Sequence, residues 1–460
     1  MWTPNLDAAE KKSEAIAEAI ARDVERGRLQ PGDRLPPQRR LAEELGLAVG
    51  TVSRGYGEAG ERGLVVGEVG RGTFIRRPES PERFGEGSSR EDEVVDLGLN
   101  LNDLLPRGEE GRLLSETLRA IADDDTDPLL RYRPDTGLPA HRSTGARWIR
   151  RTGLEVQPGN IVITAGAQHA LSVILSNLLE PGDVLLTARL TYPGLKSLAR
   201  ALGVRIRGVE MDEEGILPDA LEEECAKAPE PRALYVIPTL QNPLGGTLSP
   251  ERRDAIAEIA GRHDVLVIED DIHAFLTEEP PLPIAARAPE RTLYLQGLSK
   301  ILNIGLRTGF LAAPTSLLEK LHAGVRSSIW IPAPLMAEVT CRWIREGTAE
   351  RIVAEKRARV SERQESARRL LDGFEVLGDR RASHLWLRLP DGWRSDPFVQ
   401  QAADRSVRIT GAGTFTVSRH VPAGVRLSLG RPDSLEEMAA GVETIREILE
   451  QGPVSSTTVI

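Results

Sequence analysis

Ile16, Ile20 and Val24 recur every four residues, so one side of a first helix is apolar, and Gly27, Pro31, Gly32, Pro36 and Pro37 then interrupt it. Two further helical stretches, 39–45 and 48–61, meet through a tight Gly46-Leu47 turn, the arrangement of a helix-turn-helix. On the second of these, spacing predicts Val49, Val52, Tyr56 and Ala59 inward. Gly50, Ser53, Arg54 and Gly57 then form a small polar face able to enter a major groove. From Leu64 to Ile75, two apolar runs flank Gly70-Arg71-Gly72 and read as a hairpin or wing, with Arg71, Arg76 and Arg77 in reach of phosphates. Spacing alone leaves a plain three-helix surface module as good a reading as a DNA-binding one.

Residues 78–94 are rich in Pro, Gly and Ser with scattered charge, which predicts an exposed connection between a module at 9–77 and a larger unit at 95–452. In that unit β-rich runs at 161–164, 184–187, 233–238, 265–269 and 292–295 alternate with helical stretches such as 169–179 and 251–262. Alternation of this kind predicts an α/β domain with a largely parallel sheet. After Pro314 the pattern turns mainly helical, and 383–389 and 425–429 read as strands of a smaller α+β part.

The chain has 460 residues, enough for two or more domains, and its 40% hydrophobic and 28% charged composition excludes collagenous or wholly disordered chains. A net charge of −10 argues against nucleic-acid binding along its whole length. Residues 1–80, however, carry equal numbers of basic and acidic residues, so any DNA contact is local to them. No apolar run reaches the roughly 18 residues of a membrane span and no basic-then-apolar leader opens the chain; a cytoplasmic location without a membrane partner is expected. Cys225 and Cys341 stand alone, and His169, His263, His322, His384 and His420 show no metal-ligand spacing, so they read as structural and no metal is expected.

The sharpest chemical signal is Gln296-Gly297-Leu298-Ser299-Lys300 followed by Gly305-Leu306-Arg307-Thr308-Gly309. Upstream strand ends supply a carboxylate, Asp270, and an amide, Asn242. A pyridine aldehyde cofactor needs such a set: a lysine for the Schiff base, and a buried acid to keep the ring nitrogen protonated. Its phosphate needs N–H groups at a helix start, here Ala167 and Gln168, and a charged fork, Arg307. Tyr192 can stack on the ring. Singly, each has an ordinary role as cap, ion pair, core or turn; the ordered set makes coincidence improbable.

The runs 32–39 and 41–46, together with Thr51-Val52-Ser53-Arg54 and Gly70-Arg71-Gly72-Thr73-Phe74, resemble the winged helix-turn-helix of GntR-type regulators over about residues 9–77. The resemblance implies DNA contacts by Arg39, Thr51, Ser53, Arg54 and Gly70, beside the phosphate reach of Arg71 read from the hairpin, with Val49 where the family often has arginine. Residues from about 96 to about 450 resemble the fold-type I aminotransferases. That implies pyridoxal 5′-phosphate on Lys300, Asp270 at its ring nitrogen, Asn242 at its ring hydroxyl and Arg307 at its phosphate. It also implies Arg426 for the carboxylate of an amino compound and Tyr132 reaching the neighbouring subunit's cofactor, hence a homodimer.

Gly297 stands where a hydroxyl residue usually binds phosphate, His273 where a tyrosine donates to the ring oxygen, and His141 where a leucine is usual. One hydrogen bond lost to a charged phosphate costs about 1.5–3 kcal/mol. The whole chain resembles the MocR subfamily of bacterial regulators. The resemblance implies an aminotransferase-like domain that senses pyridoxal phosphate or a small amino-compound effector and governs DNA binding at an operator. The alternatives are an active aminotransferase acting on an amino acid with a 2-oxo acid, and a regulator whose site no longer holds the cofactor.

Overall fold

The computed structural model describes residues 2–4, 12–26, 28–30, 33–61, 64–68, 72–75, 94–102, 104–106, 108–124, 126–131, 137–418 and 420–453. The chain divides into two units, Met1–Ser89 and Arg90–Ile460. The sequence-derived readings of Gly70, Arg71, Arg76, Arg77, Tyr132 and the connection at 78–93 fall outside the described residues.

In the first unit, helices α1 (Lys12–Glu25), α2 (Gln38–Leu45) and α3 (Val49–Glu61) precede an antiparallel hairpin of β1 (Val65–Glu68) and β2 (Gly72–Ile75). Ile16 and Ile20 of α1 share one core with Val52, Tyr56 and Ala59 of α3. Val49, expected inward, is instead 44% exposed. The buried stripe of α3 begins a turn later, at Val52, and Val49 sits at the helix tip beyond that core. Gly55 fills out the stripe because a Cβ there would lie 2.8 Å from Ile16 Cβ and 2.9 Å from the Ser13 carbonyl oxygen. Gly46 ends α2 at φ 61, a left-handed conformation that glycine adopts without steric cost. Leu35 N–H donates to Thr73 O and Ile75 N–H to Asp33 O, both at 2.8 Å, so the stretch after α1 ties the wing to the helices.

The second unit carries the strands β3 (Val95–Asp96), β4 (Ile161–Thr164), β5 (Val184–Ala188), β6 (Arg205–Val209), β7 (Pro231–Val236), β8 (Leu266–Asp270), β9 (Thr292–Gly297) and β10 (Gly309–Ala312). The strands β11 (Val376–Leu377), β12 (His384–Arg388), β13 (Val407–Arg408), β14 (Thr410–Gly411) and β15 (Gly424–Ser428) follow. Seven form one sheet in the order β4-β10-β9-β8-β7-β5-β6. Within it β10 runs antiparallel to both neighbours, and the remaining pairs are parallel.

Every residue of β4, β5 and β9 is buried, as expected of strands covered by helices on both faces. Ile161 and Ile163 share a core with Trp148 and Trp343, whereas Val162 between them packs in the core of Leu171 and Val325. The edge strand β6 escapes the sequence reading because its Arg205 and Arg207 break the apolar run, a common feature of sheet edges. β11, β12, β15 and β14 form a smaller antiparallel sheet backed by the helices Thr348–Leu370 and Leu435–Gln451. No helix among the described residues is long and apolar enough to cross a membrane.

Candidate functional site

The parallel strands β4, β8 and β9 all point their carboxyl ends into one crevice, the position where open α/β sheets bind ligands. Asp270 is the last residue of β8 and Gly297 the last of β9, with Lys300 in the turn that follows. The antiparallel β10 closes the gap to β4: Gly309 pairs with Gly297 on one side and Thr164 on the other. A Cβ at Gly309 would lie 2.6 Å from Thr164 Oγ1, so only glycine permits that approach.

Asp270 is 2% exposed, and Tyr235 Oη donates to its Oδ2 at 2.6 Å. Its Oδ1 is buried with no hydrogen-bond partner among the described residues. Burial pushes the carboxyl up to about 7, against the Tyr235 hydrogen bond, the Ile272 N–H and the Lys300 charge, which lower it. A buried carboxylate oxygen awaiting a donor fits the N–H of a pyridinium ring.

Arg426, on β15, is 2% exposed and donates through Nη1 to Asn242 Oδ1 at 2.9 Å and through Nη2 to the Gly98 carbonyl. Its guanidinium lies 4.9 Å from the centroid of Phe415. With Oδ1 turned to Arg426, the Asn242 amide keeps its N–H groups for another acceptor.

An anion cradle forms where the helix Ala167–Leu178 begins. Its first N–H groups, Ala167 and Gln168 among them, have no partner within the helix. Arg307 stands at that end: a Cβ on Gly166 would come within 3.2 Å of Arg307 Nη2. Arg307 adopts φ 45, a left-handed conformation costly for a residue that carries a Cβ, and donates to Ser299 Oγ and the Ala165 carbonyl, each at 3.4 Å. Gly297, where a hydroxyl was expected, has no room for one: a Cβ there would lie 2.9 Å from both Ala167 Cβ and Ile272 Cγ2. Ser299 supplies the hydroxyl beside the arginine instead. Tyr192 caps the helix Pro193–Ala201 and lies near enough to Tyr235 to raise its pKa. A Cβ at Gly194 would come within 2.4 Å of the Tyr192 ring, so glycine lets that ring lie close to the backbone.

Sequence reasoning missed the irregular stretch at 98–102. The Asn100 carbonyl accepts from Lys300 Nζ, and Asn102 Nδ2 donates to the Lys300 carbonyl at 2.8 Å. Asn100 and Asn102 are 8% and 4% exposed. No local motif marks them, because they meet Lys300 only through a fold that joins positions two hundred residues apart. His384, read as structural, is fully buried with its ring 6.0 Å from that of His273, and the charges of Lys300 and Arg426 act on both. His273 reads from the sequence either as a donor to the ring oxygen or as a buried, hydrogen-bonded structural histidine. Its Nδ1 lies 3.0 Å from the Leu240 carbonyl, which can only accept, so the ring's proton is spent there. His141 is buried against Glu338 at 2.8 Å. Among the described residues no His, Cys, Asp and Glu cluster is placed to hold a metal ion.

In the first unit Arg39 at the start of α2 and Ser53 and Arg54 on α3 are exposed, and Thr51 is half-buried. Among the described residues neither Arg39 nor Arg54 is engaged in an ion pair, which leaves both guanidiniums to solvent on the helix-turn-helix.

A helix-turn-helix with a wing, followed by an α/β unit with this crevice, defines a regulator fused to an aminotransferase-like unit. Residues 12–75 match the gntR family of bacterial regulatory proteins, and residues 93–442 match the aminotransferase class I and II family. The chain belongs to the GntR-type regulators that carry an aminotransferase class I and II domain, the MocR-type architecture. It is 30% identical to the HTH-type transcriptional regulator YdeF of Bacillus subtilis over 98% of this chain and 97% of that one. It is 32% identical to the pyridoxine biosynthesis regulator PdxR of Corynebacterium glutamicum over 65% of each. Among solved structures, an archaeal alanine:glyoxylate aminotransferase superposes with a TM-score of 0.71 at 27% identity, covering 78% of this chain and 91% of the other. The α-aminoadipate aminotransferase LysN of Thermus thermophilus, complexed with N-(5'-phosphopyridoxyl)-L-leucine, superposes at 0.69 and 25% identity, covering 80% and 95%. The first unit is therefore a DNA-binding module and the second a ligand-binding one.

Proposed function

We propose that the protein is a transcription regulator whose second unit holds pyridoxal 5′-phosphate and reads an amino-compound effector through it. The observation that carries this reading is the unsatisfied Asp270 Oδ1 in the same crevice as Lys300, Arg307 and Arg426. Lys300 tethers the cofactor through its amine, Asp270 Oδ1 accepts from the ring nitrogen, and Asn242 donates to the ring hydroxyl. Tyr192 covers the ring face; Ala167 and Gln168 N–H groups, Ser299 and Arg307 hold the phosphate. A cofactor held there would supply an electrophilic carbon able to bind an amine.

Arg426 receives the effector's carboxylate. The Gly98 and Asn100 carbonyls accept from Arg426 and Lys300, so an effector that takes both side chains displaces residues 98–102. Those residues follow directly on the connection to the DNA-binding module, and their displacement is the change of state that alters operator affinity. Arg39, Thr51, Ser53, Arg54, Gly70 and Arg71 contact DNA. The protein acts as a homodimer: exposed Leu130 and Leu335 lie on neighbouring helices, Asp127–Leu130 and Pro334–Arg345, and supply apolar surface for a second copy. Tyr132 then serves the partner's cofactor.

Absorbance of the purified protein with and without Lys300→Ala, paired with gel retardation on the DNA upstream of its own gene, tests the reading. Cofactor absorbance lost in the variant, and retardation changed by an amino compound, are expected. The meeting of Lys300, Asp270 and Arg426 also favours amino-group exchange with a 2-oxo acid. Steady turnover without retardation establishes that second reading and removes the first, and protein that still retards DNA but shows no cofactor band in either the near ultraviolet or the visible removes the cofactor.

A further inference from the structure

His273 and His384 are the two buried imidazoles of the crevice, and the backbone dictates where each keeps its proton. His273 Nδ1 lies 3.0 Å from the Leu240 carbonyl and His384 Nε2 lies 3.1 Å from the Gln241 carbonyl. Carbonyl oxygens only accept, so His273 carries its proton on Nδ1 and His384 on Nε2. The opposite nitrogens, His273 Nε2 and His384 Nδ1, are buried with no hydrogen-bond partner among the described residues. The two carbonyls are consecutive and firmly set. Leu240 stands at φ 50 with its N–H donating to Thr247 Oγ1 at 3.1 Å, and the Gln241 side chain donates to Leu190 O at 2.7 Å.

A second proton on either ring is strongly disfavoured. His273 is 1% exposed and His384 0%. Burial first, then the Lys300 charge, holds His273 down to about 3; burial and the neighbouring His273 hold His384 far below its ordinary value. The crevice wall beside Lys300 therefore offers acceptors where a tyrosine would offer a donor.

We propose that His273 Nε2 accepts a hydrogen bond from the ring hydroxyl of the bound cofactor, so that the hydroxyl keeps its proton. The inference rests on the cofactor reading above. The hydroxyl neighbours the carbon that Lys300 attacks, and the Lys300 charge acts on both Asp270 and His273, so the three groups face the crevice that would hold the ring. Asn242, its Oδ1 fixed on Arg426, donates to the hydroxyl oxygen from the other side. One proton is shared between that oxygen and the Schiff-base nitrogen of Lys300; an acceptor at His273 retains it on oxygen, whereas a donor there moves it to nitrogen. No atom is gained or lost in the change.

The protonated oxygen leaves the loaded protein absorbing mainly in the near ultraviolet, and His273→Tyr shifts absorbance into the visible. Nitrogen-15 spectra of histidine-labelled protein, without and with cofactor, should both show His273 protonated at Nδ1 and bare at Nε2. His273→Phe should weaken the near-ultraviolet band without loss of phosphate binding. A yellow wild type whose His273 Nε2 carries a proton overturns the proposal and leaves the cofactor reading standing. Failure of the desalted protein to retain any cofactor removes that reading and this one with it.

Discussion

Tyr235 Oη donates to Asp270 Oδ2 at 2.6 Å, and in doing so it orients the carboxyl so that Oδ1 is left buried without a partner among the described residues. One hydrogen bond therefore both fixes an acid and leaves its second oxygen for a ligand.

A pH dependence follows for the cofactor-free protein. Asp270 rises from its ordinary 3.8 to about 7 on burial, so between those values the folded state binds more protons than the unfolded one. Stability then falls as pH rises through that window, by roughly 4 kcal/mol for this group alone. Asp270→Asn removes the dependence, and the melting temperature of the variant minus that of the wild type should climb from pH 4 to pH 7. Parallel curves would refute it. Glu269, also raised to about 7 by burial and Asp271, contributes equally to both proteins and cancels in the difference.

Arg426→Lys keeps the charge but loses the fork that reaches Asn242 and Gly98 together. Effector affinity should fall about tenfold to hundredfold, the equivalent of one charge-assisted hydrogen bond, with cofactor absorbance retained. Titration of an amino acid against the cofactor band reads both quantities.

Gly55→Ala places a methyl 2.8 Å from Ile16 Cβ. Overpacking of this kind costs about 1–3 kcal/mol, and it falls on the contact between α1 and α3. Gel retardation should weaken while absorbance of the second unit stays as it was; a joint loss would contradict the division into two cores.

Arg39→Ala and Arg54→Ala each remove an exposed guanidinium from the helix-turn-helix. If each meets one phosphate, the slope of log affinity against log salt should shrink by about 1 per variant, with no change in the cofactor spectrum. An unchanged slope excludes that residue from the interface.

The strands β4, β5 and β9 were legible because central strands are apolar on both faces, and the helix-turn-helix because Gly46 and the stripe on α3 are local patterns. Lys300, Asp270, Asn242 and Arg307 stood out as a candidate set because Asp270 ends β8, Lys300 and Arg307 lie in the turn between β9 and β10, and Asn242 lies in the loop after β7. Val49 was misread because helical spacing gives a face but not where along it the neighbouring helix stops. Asn100, Asn102 and His384 carried no signal, since contacts with Lys300 and His273 depend on chain ends brought together by the sheet.

What the sequence determined by itself is the order of its elements, the two-part organisation and the chemical types at the site, because these follow from short-range periodicity and from residues chemistry cannot replace. Only the tertiary structure decided which atom of each is engaged: that Asp270 is left with Oδ1, that Gly297 has no room for a hydroxyl, and that His273 spends its proton on the Leu240 carbonyl. Burial and hydrogen-bond direction belong to packed neighbours, and those neighbours lie far apart along the chain.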